Sequence, residues 1–331
     1  MTKKAPYEPP YKITPTIVHL ATNIGEVLGR LTAQTDTAKT LKLRRVNRIR
    51  TIQGSLAIEG NTLSEDHISA ILMGKRVIAP QREILEAKNA GRAYDKLNDW
   101  SPTSEASLLE AHAVLMSDLM DDAGSYRKKG VGVMAGEKVI HVAPPAHRVP
   151  TLMKDLFQWL EDTDEHPLIA GSLFHYEIEF IHPFSDGNGR IGRLWQTLIL
   201  KQWNPLFAYI PIESVIHENQ AEYYEALNKS TKQGDAAPFV EFTLKSVRDA
   251  VTPQVTPQVT PQVNQLLQVI NGEMSREEMM GVLRLSDRKS FNVRYLKPAL
   301  DERLIEMTLP EKPNSRFQRY RLTERGRGLL L

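Results

Sequence analysis

A proline repeat near residue 250 sets the strongest limit on how this chain can fold. The tetrad Val251-Thr252-Pro253-Gln254 occurs three times in succession and the repeat ends at Val263. Proline has no amide hydrogen and its ring clashes with the preceding turn, so proline at every fourth position is excluded from a helix interior and from a central strand. The repeat therefore predicts an extended spacer over residues 251–263, roughly 40 Å long, that separates two folded parts.

The charge balance and the cysteine count narrow the possible functions. The 331 residues include 42 Lys and Arg against 40 Asp and Glu, a net charge of +2, so no overall field directs the chain to nucleic acid or to a membrane. The absence of cysteine excludes disulfides, thiolate metal sites and cysteine nucleophiles. Prolines interrupt the first fifteen residues, which is not the pattern of a secretory signal, and no apolar run is long enough to span a bilayer. We expect a cytoplasmic protein with no membrane partner.

Apolar residues at three- and four-residue spacing predict a mainly helical chain. Ile49, Ile52 and Leu56, for example, share one face of a predicted helix. Before the repeat, the predicted helices span residues 17–31, 41–57, 64–72, 81–100, 104–120, 150–163, 167–181, 190 onward, 213–232 and 238–250. Residues 131–142 differ because two β-rich segments flank a turn that contains glycine, which predicts a small hairpin.

Twelve residues from His182 to Arg193 combine several groups suited to chemistry on phosphates. Apolar residues recur at helical spacing after Arg190, so the turn from Asp186 to Gly189 is predicted to open a helix. Backbone N–H groups at a helix start, left accessible by glycines and supported by the helix dipole, bind phosphate. Arg190 and Arg193 lie three residues apart on one helical face and can bind the same phosphates.

The same segment also matches a dinucleotide-binding pattern. Gly187-x-Gly189-x-x-Gly192 fits that fingerprint, and Glu213 stands near the distance of a ribose-binding acid. The fingerprint requires a buried strand directly before it, and it would place Asp186 beside a pyrophosphate of like charge. An acid fits there if Mg²⁺ lies between it and the phosphates. A Walker P-loop is excluded because no Gly-Lys-Ser/Thr sequence is present.

His182 is the candidate general base because it lies four residues before Asp186. A single histidine at a helix end is more often a structural cap. Beside a nucleotide site, an imidazole can instead accept the proton of an attacking hydroxyl near pH 7.

These twelve residues resemble the signature of the Fic (filamentation induced by cAMP) family, His-x-Phe-x-Asp/Glu-Gly-Asn-Gly-Arg-x-x-Arg, and match it at every fixed position. The similarity covers about residues 40–245. It implies a mainly α fold, with a helical Fic-type domain and a small β-hairpin flap, that transfers AMP from ATP to a hydroxyl side chain of a protein. The domains are then an N-terminal helical region at 1–105, a catalytic core at 106–250, a linker at 251–263 and a C-terminal domain at 264–331.

The resemblance implies roles for the residues of the motif. His182 would deprotonate the target hydroxyl, and Asp186 would hold Mg²⁺ against the phosphates. Arg190 would bind the phosphates, and Arg193 the γ-phosphate. The anion hole would be lined by Gly187, Asn188 and Gly189.

The resemblance also implies roles for two further groups of residues. Tyr223 and Tyr224 would wall the adenine pocket, although aromatic side chains in a helix are more often core. The hairpin would align an extended target segment by β-augmentation. Its docking residues would be Val139, Ile140, His141 and Val142.

A second motif, Ser55-x-x-x-Glu59-Gly60, resembles the inhibitory motif of the same family. By itself this pattern also describes a helix end at which Gly60 supplies a left-handed cap. The resemblance implies that Glu59 pairs with Arg193 and removes the cation that a γ-phosphate needs. The chain would then be autoinhibited, and would modify itself once released.

Two alternatives to AMP transfer stay open. The same residues could remove AMP or transfer another nucleotide, with Glu59 positioning a water molecule. The nucleotide site could also be the sensor of a DNA-binding regulator.

The segment after the repeat predicts a winged helix. Three helices, over residues 264–270, 275–283 and 287–303, precede strand-like runs at 305–309 and 316–322. The predicted recognition helix and wing carry Arg288, Lys289, Arg294, Lys297, Arg316, Arg319 and Arg321. These can meet phosphates, but the neighbouring acids Asp287, Asp301 and Glu302 dilute the charge. The expected partners are therefore a target protein, the chain itself, DNA or a protein at the winged helix, and a second copy in a homodimer.

Overall fold

The chain folds into two compact units, residues 1–255 and 256–331. The computed structural model describes residues 7–33, 37–130, 132–135, 138–255, 261–313 and 315–328. The motif from His182 to Arg193 lies in the first unit. In the described part of the chain, no helix combines the length and the apolar character needed to cross a bilayer.

The first unit is mostly helical, which confirms the predicted mainly α fold. Its α-helices are α1 (Pro15–Ala33), α2 (Thr37–Ile58), α3 (Glu65–Leu72), α4 (Gln81–Asp95), α5 (Glu105–Leu115), α6 (Val149–Asp162), α7 (Pro167–Ile181), α8 (Asn188–Trp203), α9 (Ile212–Glu218), α10 (Gln220–Gln233) and α11 (Ala237–Val255). Ser64 caps α3, since its side chain accepts the N–H of His67.

Helix α7 forms the centre of this unit. Its side chains are buried almost all round, as in Leu173, Phe174 and Ile178, which is the pattern of a helix enclosed by others. It packs most extensively against α8, where the ring of Trp195 stacks at 6.5 Å on that of Phe174. The segment between α7 and α8 is therefore held at both ends by buried helices.

The end of α2 is fixed against α9. Gly54 permits a close approach, because a Cβ at this position would lie 2.6 Å from the backbone nitrogen of Ser214. Ile52 and Leu56 are buried on the same helix. The turn of α2 that carries Ser55 is thus part of the core.

Strands β1 (Gly132–Ala135) and β2 (Lys138–Val142) form the predicted hairpin. They pair antiparallel, and the register shifts between Val133 and Met134, as at a β-bulge. Strand β2 lies beside α10.

Three predicted helices are shorter or divided. Helix α4 ends at Asp95 and α5 at Leu115, each about five residues earlier than predicted. A left-handed residue, Asp118, follows α5 and prevents its continuation. Helices α9 and α10 replace one predicted helix, because the backbone of Asn219 departs from helical angles, with φ of −114° and ψ of 34°.

The prediction that the proline repeat forms an extended spacer is wrong at both ends of the repeat. Helix α11 continues through Pro253 to Val255, although an interior proline costs about 3 kcal/mol. The helix enters the repeat with Val251 fully buried, and this packing offsets the loss. Helix α12 begins at Pro261, where a missing N–H breaks no intrahelical bond. The middle of the repeat, residues 256–260, lies outside the described residues.

The second unit consists of short helices followed by a two-stranded sheet. In chain order its elements are α12 (Pro261–Val269), α13 (Arg276–Val282), α14 (Arg288–Phe291), a π-helical turn (Asn292–Leu296), α15 (Lys297–Asp301), β3 (Ile305–Met307), β4 (Tyr320–Leu322) and α16 (Glu324–Gly328). The π turn interrupts the predicted helix over 287–303 because Pro298 cannot donate to the carbonyl of Arg294. The strands pair antiparallel, with Ile305 opposite Leu322.

Candidate functional site

His182 is the first residue beyond α7. It has a left-handed backbone with φ of 50°, and its N–H bonds to the carbonyl of Ile178. This conformation turns the chain sharply out of the helix and costs about 1 kcal/mol in a non-glycine residue. The surrounding structure therefore holds His182 in place against a local preference.

The turn after His182 is shaped by Asn188. Its amide group donates to the carbonyl of Phe184 and accepts the N–H of Phe184, both at 2.9 Å. Asn188 is buried, so its side chain closes the loop and does not face a ligand. Only its backbone N–H, at the start of α8, stays suited to the predicted anion hole.

His112 supports this turn from α5. Its Nδ1 accepts the N–H of Gly124 at 2.9 Å, so the proton is on Nε2, which lies 2.9 Å from the Asp186 carbonyl and donates to it. The ring stacks on Phe184 with centroids 3.7 Å apart. Burial lowers the pKa of His112 to about 4, so the imidazole stays neutral. Sequence reasoning missed this residue, whose only signal was a polar ring between the buried Leu108 and Leu115.

Gly187 begins α8 with φ of +84°. A Cβ here would lie 2.7 Å from the sulfur of Met116, so both the backbone and the available space require glycine. Its N–H donates to Oδ1 of Asp186 at 2.6 Å. The N–H of Gly187 is therefore bonded to Asp186, and the N–H groups that follow it are the ones that an anion would bind.

Asp186 lies between two arginines. Its Oδ1 accepts Arg190 Nη2 and its Oδ2 accepts Arg82 Nη2, each at 3.1 Å. Glu86 on α4 binds both arginines, at 3.3 Å from Arg82 and 3.4 Å from Arg190. The Asp186 side chain is 47% exposed, so its carboxylate can reach a ligand. Arg82 and Glu86 lie about a hundred residues from the motif. No sequence pattern around them indicated a role in the site.

Arg190 and Arg193 retain buried donors. Nε of Arg190 and Nη1 of Arg193 are buried and form no hydrogen bond among the described residues. A Cβ at Gly189 would lie 2.9 Å from Arg193 Nη1, so this donor is directed at the start of α8. Buried donors without acceptors are rare. Phosphate oxygens would satisfy them, and the site therefore fits an anionic ligand.

Arg193 also contacts the end of α2. Its Nη2 donates to Glu59 Oε1 at 2.8 Å and to the carbonyl of Ser55 at 2.9 Å, and its Nε donates to Ser55 Oγ at 3.2 Å. Burial lowers the pKa of Arg193, but the charges of Glu59 and Glu179 outweigh this and keep the pKa above its ordinary value. Gly60 follows with φ of +88°, the left-handed conformation predicted for it.

Glu179 is a second acid at this point. Its Oε1 accepts the hydroxyl of Tyr223 at 2.9 Å and lies, like Glu59 and Arg193, close to where a Cβ at Gly189 would be. Burial and the charge of Glu59 raise the pKa of Glu179 to about 7. Glu179 was not predicted from the sequence, because it lies in the apolar helix α7 and belongs to neither of the two motifs.

Residues outside the motif were also predicted to contact the nucleotide or the target protein. Tyr223 is 1% exposed and packs against His175 and Phe239, so it offers no face to a ligand here. Tyr224 is partly exposed, and its hydroxyl donates to the carbonyl of Ile58. The docking residues Val139 to Val142 form most of β2, of which the structure describes the backbone.

Glu213, the acid considered for a ribose, is buried inside the first unit. Its Oε1 accepts the hydroxyls of Tyr94 at 2.8 Å and Thr197 at 3.1 Å. It is 1% exposed. The dinucleotide alternative also lacks its strand, because α7 precedes the glycines.

Among the described residues, no three His, Asp or Glu side chains come close enough together to hold a metal ion. A magnesium ion bound by one carboxylate and by phosphate oxygens does not need such a group. The assignment of Mg²⁺ to Asp186 therefore stays a prediction.

Comparison with known families gives two matches. Residues 102–200 match the Fic/DOC family. Residues 261–323 match the family described as "Filamentation induced by cAMP protein Fic-like, C-terminal domain". The first match includes the whole motif from His182 to Arg193.

Known proteins similar to the chain carry the same family name. A Fic family protein from Desulfovibrio desulfuricans G20, known from a crystal structure, is 52% identical in sequence to this chain. The match covers 96% of this chain and 99% of that protein chain, with a TM-score of 0.72. Fic-1 from C. elegans, residues 134–508, is 25% identical over 72% of each chain, with a TM-score of 0.61. The "Protein adenylyltransferase Fic" of Nematostella vectensis is 31% identical over 206 residues, which are 59% of this chain and 45% of that protein. The chain thus spans less than half the length of this curated relative.

Proposed function

The chain belongs to the Fic family, and we propose that it is a protein adenylyltransferase that transfers AMP from ATP to a Ser, Thr or Tyr hydroxyl of a target protein. The observation that carries this proposal is the site between α7 and α8. There His182 lies between α7 and α8, and a buried donor of Arg193 that has no acceptor among the described residues is directed at the start of α8.

The geometry fits an in-line displacement at the α-phosphate. His182 would take the proton of the target hydroxyl while its oxygen bonds to the α-phosphorus. The bond from that phosphorus to the α–β bridging oxygen breaks, and pyrophosphate leaves. The N–H groups at the start of α8, with Arg190 and Arg193, would stabilise the negative charge of the phosphates.

Asp186 would hold Mg²⁺. A single, half-exposed carboxylate beside a phosphate site fits this ion, which keeps several waters and takes few protein ligands. The ion supplies charge neutralisation of the phosphates when bound. Arg82 and Arg190 each contact one of the two carboxylate oxygens, which leaves lone pairs of the half-exposed carboxylate for the ion.

We also propose that Glu59 restrains the enzyme. Its carboxylate and the Ser55 carbonyl together satisfy Nη2 of Arg193. The Arg193 side chain of this ion pair is 1% exposed, whereas the Glu59 side chain is 37% exposed. A γ-phosphate would have to compete with Glu59 for Arg193, and the chain would modify itself more readily once Glu59 is removed.

The hairpin would dock the target. Its strands form a separate two-stranded sheet, so an extended segment can add to a free edge by main-chain hydrogen bonds. In the second unit, three helical segments before a two-stranded sheet support a winged helix that binds DNA or a protein.

Transfer can be tested with ATP labelled at the α- or the γ-phosphate. We expect the full-length protein to acquire label from the α-phosphate only, with more in Glu59→Gly than in wild type and none in His182→Ala. Label from the γ-phosphate would show phosphoryl transfer and contradict the proposal. If His182→Ala abolishes label but still binds ATP, the residue acts in chemistry and not in nucleotide binding. Incubating AMP-modified protein with wild type and with Glu59→Gly distinguishes removal, which only the wild type would perform.

A further inference from the structure

Arg127 is a buried arginine, and within the described residues its side chain donates to backbone carbonyls. It is 3% exposed, and among the described residues its side chain contacts no carboxylate. A guanidinium without a carboxylate is costly to bury unless its donors are satisfied. The four carbonyls that accept its hydrogen bonds lie in three separate segments.

The first of these segments is the end of α7. Nε of Arg127 donates to the carbonyl of His182 at 2.7 Å, and Nη2 donates to that of Ile181 at 3.3 Å. The backbone N–H of Arg127 donates to the carbonyl of Pro183 at 3.0 Å. These bonds hold the peptide groups on both sides of His182, and so oppose the strain of its left-handed backbone.

The other two segments flank the hairpin. Nη1 of Arg127 donates to the carbonyl of Lys129 at 2.9 Å, before β1 begins. Nη2 donates to the carbonyl of Pro144 at 2.6 Å, after β2 has ended. A two-stranded hairpin is only marginally stable alone, and here one planar group binds both of its ends.

We propose that Arg127 is a positioning residue that fixes the hairpin to the backbone of His182. The catalytic consequence rests on the proposed function: a target docked on the hairpin must present its hydroxyl to His182, and Arg127 sets that distance. Its planar fork is suited to the role, because its donors are spread over three nitrogens, whereas the three N–H donors of lysine share one nitrogen. Nucleotide binding does not pass through Arg127, since its side chain contacts neither Asp186 nor the start of α8.

Hydrogen–deuterium exchange on the full-length protein tests the coupling without any assay of activity. In Arg127→Lys we expect faster exchange in the hairpin and in residues 181–184 together, with residues 55–59 unchanged. The adjacent exposed cation provides a matched control, Lys128→Met, which should leave all three segments unchanged. Faster exchange in the hairpin alone, or in neither segment, would overturn the proposal.

The kinetic test separates positioning from loss of structure. In the Glu59→Gly background, Arg127→Lys should lower the maximal rate of AMP transfer onto the chain by roughly 10²-fold while the KM for ATP stays within about twofold. A large rise in KM with an unchanged maximal rate would contradict the assignment. If no variant transfers AMP but the coupled exchange is seen, the proposed function fails and the structural link stands.

A second variant leaves the buried arginine untouched, in case Arg127→Lys does not fold. Inserting Gly-Ser after Gly130, where the surroundings are open, lengthens one leg of the hairpin without removing a donor or an acceptor. We expect faster exchange in the hairpin, unchanged exchange in residues 181–184 and lower transfer at an unchanged KM for ATP. Full transfer by the insertion variant would show that no fixed distance is needed.

Discussion

The carboxylate of Glu59 occupies the space that a Cβ at Gly189 would fill. Glycine at this position of the motif therefore does two things. It leaves the start of α8 accessible to an anion, and it admits the acid that binds Arg193.

Replacing Gly189 by alanine should displace Glu59. We expect Gly189→Ala to lower the stability of the wild type by about 2 kcal/mol and to lower that of Glu59→Gly by less, with a coupling energy of about 1 kcal/mol. Thermal unfolding of the four proteins measures this cycle. Glu59→Gln provides the matched background, because it keeps the side-chain volume and so the clash. Equal losses in all backgrounds would contradict the proximity.

Ser55→Ala should release Arg193 only in part. The variant loses the bond from Nε to Ser55 Oγ but keeps those to the Ser55 carbonyl and to Glu59. Since one bond to a charged group contributes about 1.5 kcal/mol, we expect AMP transfer to rise by roughly tenfold, less than in Glu59→Gly. Thr51→Val, one helical turn earlier, serves as the control and should leave the rate unchanged. A larger effect from Ser55→Ala than from Glu59→Gly would refute this order.

The stability of the protein should depend on pH through Glu179. Its pKa is about 7 in the folded protein and 4.5 ordinarily, so the unfolded chain releases this proton at lower pH and stability falls as pH rises between those values. Glu179→Gln removes this loss. We expect it to gain about 3 kcal/mol over wild type between pH 4.5 and pH 8, measured by urea unfolding. The exposed Glu161→Gln should show no such gain, and a pH-independent difference for Glu179→Gln would exclude the effect.

His112→Phe should weaken nucleotide binding. Phenylalanine can keep the stack on Phe184 but leaves the Asp186 carbonyl and the Gly124 N–H without their partner. We expect a loss of about 2 kcal/mol in stability and a several-fold weaker affinity for Mg²⁺-ATP, measured by calorimetry in a His182→Ala background. Tyr126→Phe is the matched control, because Tyr126 also packs on Phe184 while its hydroxyl binds Glu105. Unchanged affinity in His112→Phe would show that the turn does not need this support.

Any DNA binding by the second unit should depend on some of its arginines and not on others. Arg321 already binds Glu273 and Glu306, while Arg294 is exposed on the π turn. We expect Arg294→Ala to weaken binding of a short duplex and to reduce the slope of log affinity against log salt by about 1, and Arg321→Ala to change neither. Fluorescence anisotropy at several salt concentrations measures both. Equal effects of the two variants would contradict this distinction.

The sequence alone was sufficient to predict the local parts of the site. His182, Asp186 and the two motif arginines lie within twelve residues of one another. The helical periodicity after Arg190 predicted that a helix begins in this segment, and α8 begins there. Glu59 could be paired with Arg193 only through a family resemblance, since 134 residues separate them.

Two of the missed residues, His112 and Arg127, lie 74 and 55 residues from the motif residues they contact, and only tertiary packing brings them there. Glu179 lies close to His182 in the sequence, but it comes near Gly189 only because α7 packs on α8. The prediction for the proline repeat was wrong for the opposite reason. The local preference of proline against a helix was outweighed in α11, where Val251 is buried. Local chemistry therefore indicated the candidate reacting groups, but not the residues that hold them in place.

Helix α2 ends at Ile58, so Glu59 is the first residue beyond it, with 37% of its side chain exposed. Separating Glu59 from Arg193 thus requires one carboxylate to change rotamer, while Ile52 and Leu56 stay buried and Ser55 keeps its bonds to Arg193. Such motions take nanoseconds or less, whereas typical enzymes turn over in milliseconds to about a second. Each molecule would sample the paired and the open arrangement many times within one catalytic cycle. The rate of the restrained protein would then report the fraction of time that Arg193 spends away from Glu59, and not the fraction of molecules that are active.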